Sequence, residues 1–232
     1  MAQLKSILTV RTFIMLSIFI VLAPSLPLLI SRRWDWWEAW AYALISILGF
    51  IISRFLAFRK NPDLLVERSE YLKHDNTQSW DKALSPISGL GGILMVIIAG
   101  LDSLYGWSPD YSLLLKVPMV FLFIAGYGLG SYALIANRFF SGTVRLQTDR
   151  GHHVISSGPY KWIRHPGYAS ALLTYLITPI LLDSYWIFIP AILISITLII
   201  RTALEDRFLK ENLDGYMDYS QKVRFRLIPL IW

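Results

Sequence analysis

Two groups of residues in the last third of the chain have types and spacing suited to chemistry. The first is His152 to Tyr168, which reads HHVISSGPYKWIRHPGY. Ser156, Ser157, Gly158 and Pro159 read as one turn, and His165, Pro166 and Gly167 as another directly before an apolar run, so a polar loop is pinned at that run's start. Pro166 biases His165 toward extended geometry, which is expected to leave backbone groups unpaired and available to a ligand. The second group is Arg201 and Glu205, four residues apart on one helical face at the end of the last apolar run, followed by Asp206 and Arg207. Alone, such a pair reads as a salt bridge worth a few tenths of a kcal/mol. At membrane depth an ionisable pair points instead to function. Cysteine is absent, which removes thiol nucleophiles, disulfides and thiolate metal sites. His152, His153 and His165 are the remaining ligand types, but no two sit at helical i,i+4 spacing, so no metal is expected.

The elements that must position these groups are membrane helices. Of 232 residues, 55% are hydrophobic and only 16% charged, against roughly 25% charged in a soluble domain. The mean hydropathy is +0.49. Six apolar runs approach the ~20 residues needed to cross a bilayer: Thr12 to Ile30, Ala39 to Ala57, Leu84 to Leu101, Leu113 to Ala136, Tyr168 to Leu182, and Trp186 to Ile200. The last two, joined by Asp183, Ser184 and Tyr185, read as a short helical hairpin. Lys5 and Arg11 before the first run resemble a secretion signal, but Pro24, Pro27 and the lack of a cleavage site followed by a polar mature domain argue for a retained span. The expected fold is an all-α, polytopic integral membrane bundle of about six membrane segments.

Orientation follows from the basic residues, which gather on alternate connections. One side holds Lys5 and Arg11; Arg59, Lys60, Arg68, Lys73 and Lys82; Arg138, Arg145, Arg150, Lys161 and Arg164; and a tail with Arg201, Arg207, Lys210, Lys222, Arg224 and Arg226. The other side has Arg32, Arg33 and Lys116, a bias that puts both termini and the long connections, Phe58 to Ala83 and Asn137 to Gly167, in the cytoplasm. Arg54 near the end of the second run can snorkel to that side. The net charge of +6 fits anionic head groups rather than nucleic acid, since no basic stretch is interleaved with aromatics away from the spans. The tail continues the sixth run as a helix, with Leu204, Phe208 and Leu209 at helical spacing, until Gly215; a short segment, Tyr216 to Val223, follows. Without repeats or linkers, residues 1–136 (membrane helices) and 137–232 (motif region) form a single integrated domain.

The motifs together resemble the isoprenylcysteine carboxyl methyltransferase family, part of a wider group that includes membrane phospholipid methyltransferases. The resemblance rests on His152 followed by Tyr160, on Arg164, His165, Pro166 and Tyr168, on Arg201 with Glu205, and on Gly215, Tyr216, Tyr219, Arg226 and Pro229. It covers His152 to Trp232, with weaker similarity at Asn61 to Lys82. It implies S-adenosylmethionine as cofactor, contacted by His152, His153, Val154, Ile155, Tyr160, His165, Pro166, Gly167, Tyr168 and Glu205, with Gln147 a further candidate. It implies Arg201 as the residue that binds the acceptor, so Arg201 and Glu205 form the catalytic pair. Asp206 departs from the family, where a second Glu is frequent. The acceptor implied is a lipophilic, membrane-embedded molecule such as the carboxylate of a prenylcysteine-like compound; phospholipids and other apolar carboxylates, amines and thiols stay open. The chemistry is consistent: a sulfonium, an ammonium, a carboxylate, a ribose and an adenine need acceptors, donors and flat surfaces, and an arginine can hold a carboxylate bidentately.

Two other functions are compatible with the same residues. One is an NADPH-dependent membrane reductase of the sterol type, whose C-terminal segment carries a similar Arg-His-x-x-Tyr element. The other is a non-catalytic membrane scaffold or carrier. Gly126, Gly128 and Gly130 resemble a nucleotide loop but lie inside an apolar run with no strand before them, so helix packing explains them better. Trp34, Trp36, Trp37 and Trp40 read as an interfacial belt. Arg145, Arg150 and Arg164 read as topology determinants, with Arg164 placed to brace the motif.

Overall fold

The computed structural model describes residues 10–69 and 74–232. Lys5, Lys73 and the Arg11 side chain lie outside what is described. Among the described residues the order is α1 (Val10–Ser31), α2 (Trp37–Lys60), α3 (Pro62–Ser69), α4 (Ser79–Tyr105), α5 (Leu113–Ala136), α6 (Pro166–Leu181), α7 (Phe188–Asn212) and α8 (Tyr216–Lys222), with 3₁₀ turns at Thr148–Arg150 and Gly158–Lys161. All six apolar runs are helical. Four of these helices, α2, α4, α5 and α7, are long and apolar enough to cross a membrane; Phe19–Ser31 of α1 and all of α6 are shorter apolar helices.

The side chains identify the solvent these helices are built for. On α7, Ile192, Leu193, Ile196, Ile199 and Ile200 all face outward, as do Leu44, Leu48, Ile51 and Phe55 on α2. Water would not tolerate so continuous an apolar surface, and lipid requires it. Against lipid, tight packing rather than apolar burial holds helices together, and α5 and α6 show how. A Cβ on Gly126 would stand 2.6 Å from Thr174 Cγ2, and one on Gly130 2.5 Å from Ser170 Oγ. The two backbones therefore meet along a glycine edge, closed by the Ser170 hydroxyl donating to the Gly126 carbonyl at 2.7 Å. Helix packing is thus what Gly126 and Gly130 do; Gly128 has nothing within 4 Å of its Cβ position.

The hairpin expected at the end of the chain has one short arm, α6; its second arm is longer than the apolar run, because α7 runs unbroken past the end of that run into the tail, the helical continuation expected there. It stops at Asn212, just before Gly215 takes the left-handed conformation (φ +78°) that starts α8. The turn between α6 and α7 is pinned by charge. Lys116 Nζ donates to Glu38 and, at 2.9 Å, to Asp183, while Asp183 also accepts the Tyr111 amide at 2.7 Å. Asp102 accepts Ser108 N and Oγ at 2.8 and 2.7 Å and the Ser184 hydroxyl. Lys116 is therefore consumed inside the bundle. The tryptophan belt also needs one correction: Trp34, Trp37 and Trp40 are exposed, but Trp36 is only 3% exposed and belongs to the core with Leu28, Met95, Ile187 and Ile194.

Candidate functional site

At the opposite end of the bundle, the connection between α5 and α6 folds over the start of α6 and the end of α7 and encloses a cavity of about 310 Å³. This volume lies within the roughly 300–1,000 Å³ of small-molecule sites. Gln147, His152, His153, Val154, Ile155 and Tyr160 line it from the loop. His165, Gly167 and Tyr168 line it from the start of α6, Arg201 and Glu205 from α7, and Tyr216 and Tyr219 from α8. Among the residues expected to contact the cofactor or acceptor, Pro166 alone does not line the cavity; it is buried and opens α6 at its first turn, where a missing amide is harmless. Gly167 holds its place because a Cβ there would stand 2.6 Å from two ring carbons of Phe140.

Arg201 and Glu205 share a wall but do not pair with each other, so the i,i+4 salt bridge is corrected. Arg201 donates from Nε and Nη2 to the two oxygens of Asp81 at 2.7 and 3.2 Å, and from Nη2 to the Gly142 carbonyl at 3.3 Å. Asp81, in the first turn of α4, is fully buried and also accepts the Val144 amide at 2.8 Å. One carboxylate therefore ties α4, α7 and the loop together. Glu205 accepts the Tyr168 hydroxyl at 2.6 Å. The Tyr168 ring lies against the Arg201 guanidinium, 5.3 Å from its centroid, and is stacked with His165 at 5.9 Å. A donor, an acceptor and two flat rings thus converge on the cavity from two helices.

The loop's own fixation is equally specific. Arg164 donates to Asp206 at 2.6 and 3.1 Å and to the Val223 and Arg224 carbonyls at 2.6 and 2.9 Å, which makes it the brace of the motif. Asp206 also receives Arg226, Lys210 and the Tyr216 hydroxyl, so the position that departs from the family is a buried anchor and not a wall of the cavity. The backbone amides of Arg164 and His165 donate to Phe225 and Arg226 at 2.9 Å, so the expectation of free backbone groups there is overturned: the tail claims them. Arg145 is not a surface cation either. It is buried in a two-pronged pair with Glu67 at 3.0 and 2.8 Å and also bonds Asp149 at 2.8 Å.

Gln147 is 1% exposed and spends its amide on the Phe139 carbonyl at 2.7 Å. The Gln147 backbone amide donates to His152 Nδ1 at 3.3 Å, and the His152 ring packs on Phe139 with centroids 4.6 Å apart. Burial, followed by the nearby His153, Arg145 and Arg150, holds the His152 pKa down at about 4, so its imidazole is neutral at physiological pH. His153 is exposed, with Nδ1 3.0 Å from the Gly151 carbonyl. Tyr160 accepts Asn137 Nδ2 at 3.3 Å, and burial pushes its phenol above the ordinary range, so it stays protonated. Among the described residues no three His, Asp or Glu side chains converge as a metal set. No role was read from the motifs for Asp81, Glu67 or Phe139, although Glu67 and Asp81 fall inside the Asn61 to Lys82 stretch of weaker similarity, and Asp81 also stands in the first turn of an apolar helix.

Residues 119–211, from α5 through nearly the end of α7, match the model of the Isoprenylcysteine carboxyl methyltransferase (ICMT) family. The resemblance read from the motifs is thereby shown over that stretch. The uncharacterized protein YpbQ of Bacillus subtilis (strain 168) is 36% identical over 62 residues, which is 26% of this chain and 37% of that relative. The chain thus matches well under two thirds of that relative's length.

Proposed function

Starting from the match of residues 119–211 to the isoprenylcysteine carboxyl methyltransferase family, we propose that this chain is an S-adenosylmethionine-dependent methyltransferase acting on a lipophilic acceptor within the membrane. The observation that carries the reading is that Glu205, His165, Tyr168 and the loop from Gln147 to Tyr160 line one cavity at one end of a helical bundle. Its donor set fits the cofactor: a carboxylate for cationic groups, the flat rings of Tyr160, Tyr168 and His152 for adenine, and Val154 and Ile155 for apolar contact. When bound, S-adenosylmethionine supplies an electrophilic methyl group on a sulfonium, and in-line displacement by the acceptor needs no covalent enzyme intermediate.

In this reading the chain's residues bind and orient. Glu205, held by Tyr168, presents its second oxygen to positive charge, and a neutral His152 avoids repelling it. Arg201, clamped by Asp81 and leaving Nη1 unused among the described residues, turns that edge toward the acceptor. A carboxylate acceptor brings its own electron pair and needs no base. Arg145 and Arg164 each face a carboxylate, which leaves neither of the two to hold a dinucleotide phosphate and weighs against a reductase. Six membrane segments, with the termini and this cavity on the cytoplasmic side, complete the proposal; the positive charge at this end supports that orientation.

The test is equilibrium binding of S-adenosylhomocysteine to protein purified in a neutral detergent, with NADPH as comparison. Binding is expected for the former and is expected to be lost in Glu205→Ala. Stabilisation by NADPH instead, or full affinity in the variant, overturns the assignment.

A further inference from the structure

The apolar helix α6 has 16 residues and is about 24 Å long, short of the ~30 Å of hydrocarbon that a membrane segment crosses. With its far end at the opposite interface, its first residue, Pro166, lies inside the hydrocarbon boundary. The segment packed against this start is the tail. The amides of Arg164 and His165 donate to the Phe225 and Arg226 carbonyls at 2.9 Å. Leu227 is buried in the same apolar cluster as Leu172 of α6 and Leu198 of α7, and Trp232 packs against that cluster. Residues 225–232 thus occupy the depth that α6 leaves unfilled.

The backbone of this segment is closed on itself. The Arg226, Leu227 and Ile228 amides all donate to the Trp232 carbonyl at 2.9, 2.9 and 3.1 Å, and the Ile231 and Trp232 amides to the Ile228 carbonyl at 3.2 and 3.1 Å. Arg164 Nη1 takes the Val223 and Arg224 carbonyls. Such internal pairing is what a backbone needs where water is scarce. The side chains turn the other way: Ile228, Leu230 and Ile231 are exposed, the last two by 89% and 76%. Leu230 stands at a left-handed backbone position (φ +69°), where a solvated turn uses Gly or Asn. Beside Leu198, α7 turns Ile199 and Ile200 outward as well, so the tail continues a surface already given over to lipid. Lys222 and Arg224, just before the apolar residues, are exposed cations suited to anionic head groups.

We propose that the turn from Leu227 to Trp232 is a lipid-binding surface: Ile228, Leu230 and Ile231 insert into the leaflet on the cavity's side of the membrane, and Lys222 and Arg224 rest on its anionic head groups. The bilayer then presses the tail onto the amides of Arg164 and His165, at the edge of the cavity. This goes beyond the proposed function, and it rests on α6 crossing the membrane and not on the cofactor.

The chain has no cysteine, so Leu230→Cys carries a single environment-sensitive fluorophore. In nanodiscs that label is expected to be quenched by lipids brominated along their chains and shielded from aqueous iodide. A label at the outward-facing Ile199→Cys is expected to behave alike, and one at Asp214→Cys, exposed past the end of α7, to do the opposite. Ile231→Cys gives the same reading if the substitution at Leu230 disturbs the turn. When phosphatidylglycerol replaces part of a zwitterionic bilayer, the ratio of shielded to accessible label is expected to rise at least about fivefold, the contribution of one basic residue near an anionic surface. Lys222→Gln with Arg224→Gln is expected to remove most of that rise; a rise that survives both overturns the role given to these cations. Iodide access equal to that at Asp214 in both bilayers overturns the proposal. So does shielding without bromine quenching, which puts protein, such as a second copy of this chain, on the surface instead. No cofactor enters these readings, so they stand or fall apart from S-adenosylhomocysteine binding.

Discussion

Replacing Asp81 with Asn tests whether the buried pair with Arg201 organises the cavity. The side chain keeps its shape, but one oxygen becomes an amide donor. That donor would face Arg201 Nε on one side, or Arg201 Nη2 and the Val144 amide on the other. Arg201 is 6% exposed and Asp81 fully buried, so water cannot take over the lost contacts. Breaking a buried pair from one side costs about 3–5 kcal/mol, and Asn, which retains one acceptor, belongs near the lower end. For a chain of this size about 3 kcal/mol corresponds to a drop of roughly 6–12 °C in Tm. Intrinsic tryptophan fluorescence in a neutral detergent measures it. The double variant Asp81→Asn with Arg201→Gln removes both charges and is expected to recover at least half of the loss. A single variant that melts within about 1 °C of the parent, or a double variant whose losses simply add, would refute the claim that the two charges support each other.

Gly130→Ala drives a methyl to 2.5 Å from Ser170 Oγ and is expected to lower stability by about 1–3 kcal/mol, whereas Gly128→Ala meets open space and is expected to be neutral; paired thermal melts decide. His152 binds its proton more weakly folded, at about 4, than at its ordinary 6.5, so protonation favours the unfolded chain. Stability is therefore expected to fall as pH drops from 6.5 toward about 4 and then to level off, a slope that His152→Gln should flatten in pH-dependent melting curves.

The helices were legible because apolar runs report burial in lipid directly, and Gly126 and Gly130 inside such a run, with no strand before them, were better explained by a neighbouring helix than by a nucleotide. The residues lining the cavity were legible in part for a local reason. His152 to Tyr168 is one continuous loop, and Arg201 and Glu205 lie on one helical face. Partnerships were not legible. Arg201 looked free to pair with Glu205 four residues on, but its partner is Asp81, 120 residues away, and Arg145 finds Glu67 at a separation of 78. Periodicity states which side of a helix is polar and is silent on which helix arrives there. Trp36 was misread for the same reason: its neighbours Trp34, Trp37 and Trp40 face outward, and nothing local distinguishes the one that turns into the core.

The Asp81–Arg201 link also bears on how the chain is made. At about 5–20 residues per second, a ribosome reaches Arg201 some 6–24 s after Asp81, given the 120 residues between them. Through that interval the carboxylate lacks its Arg201 partner, yet it sits in the opening turn of α4, where head-group water can keep it hydrated. A position one or two turns deeper would strand it in hydrocarbon during synthesis. The acid's place at the helix mouth thus suits the nascent chain as well as the finished one, and the cavity closes only when the last long helix is delivered.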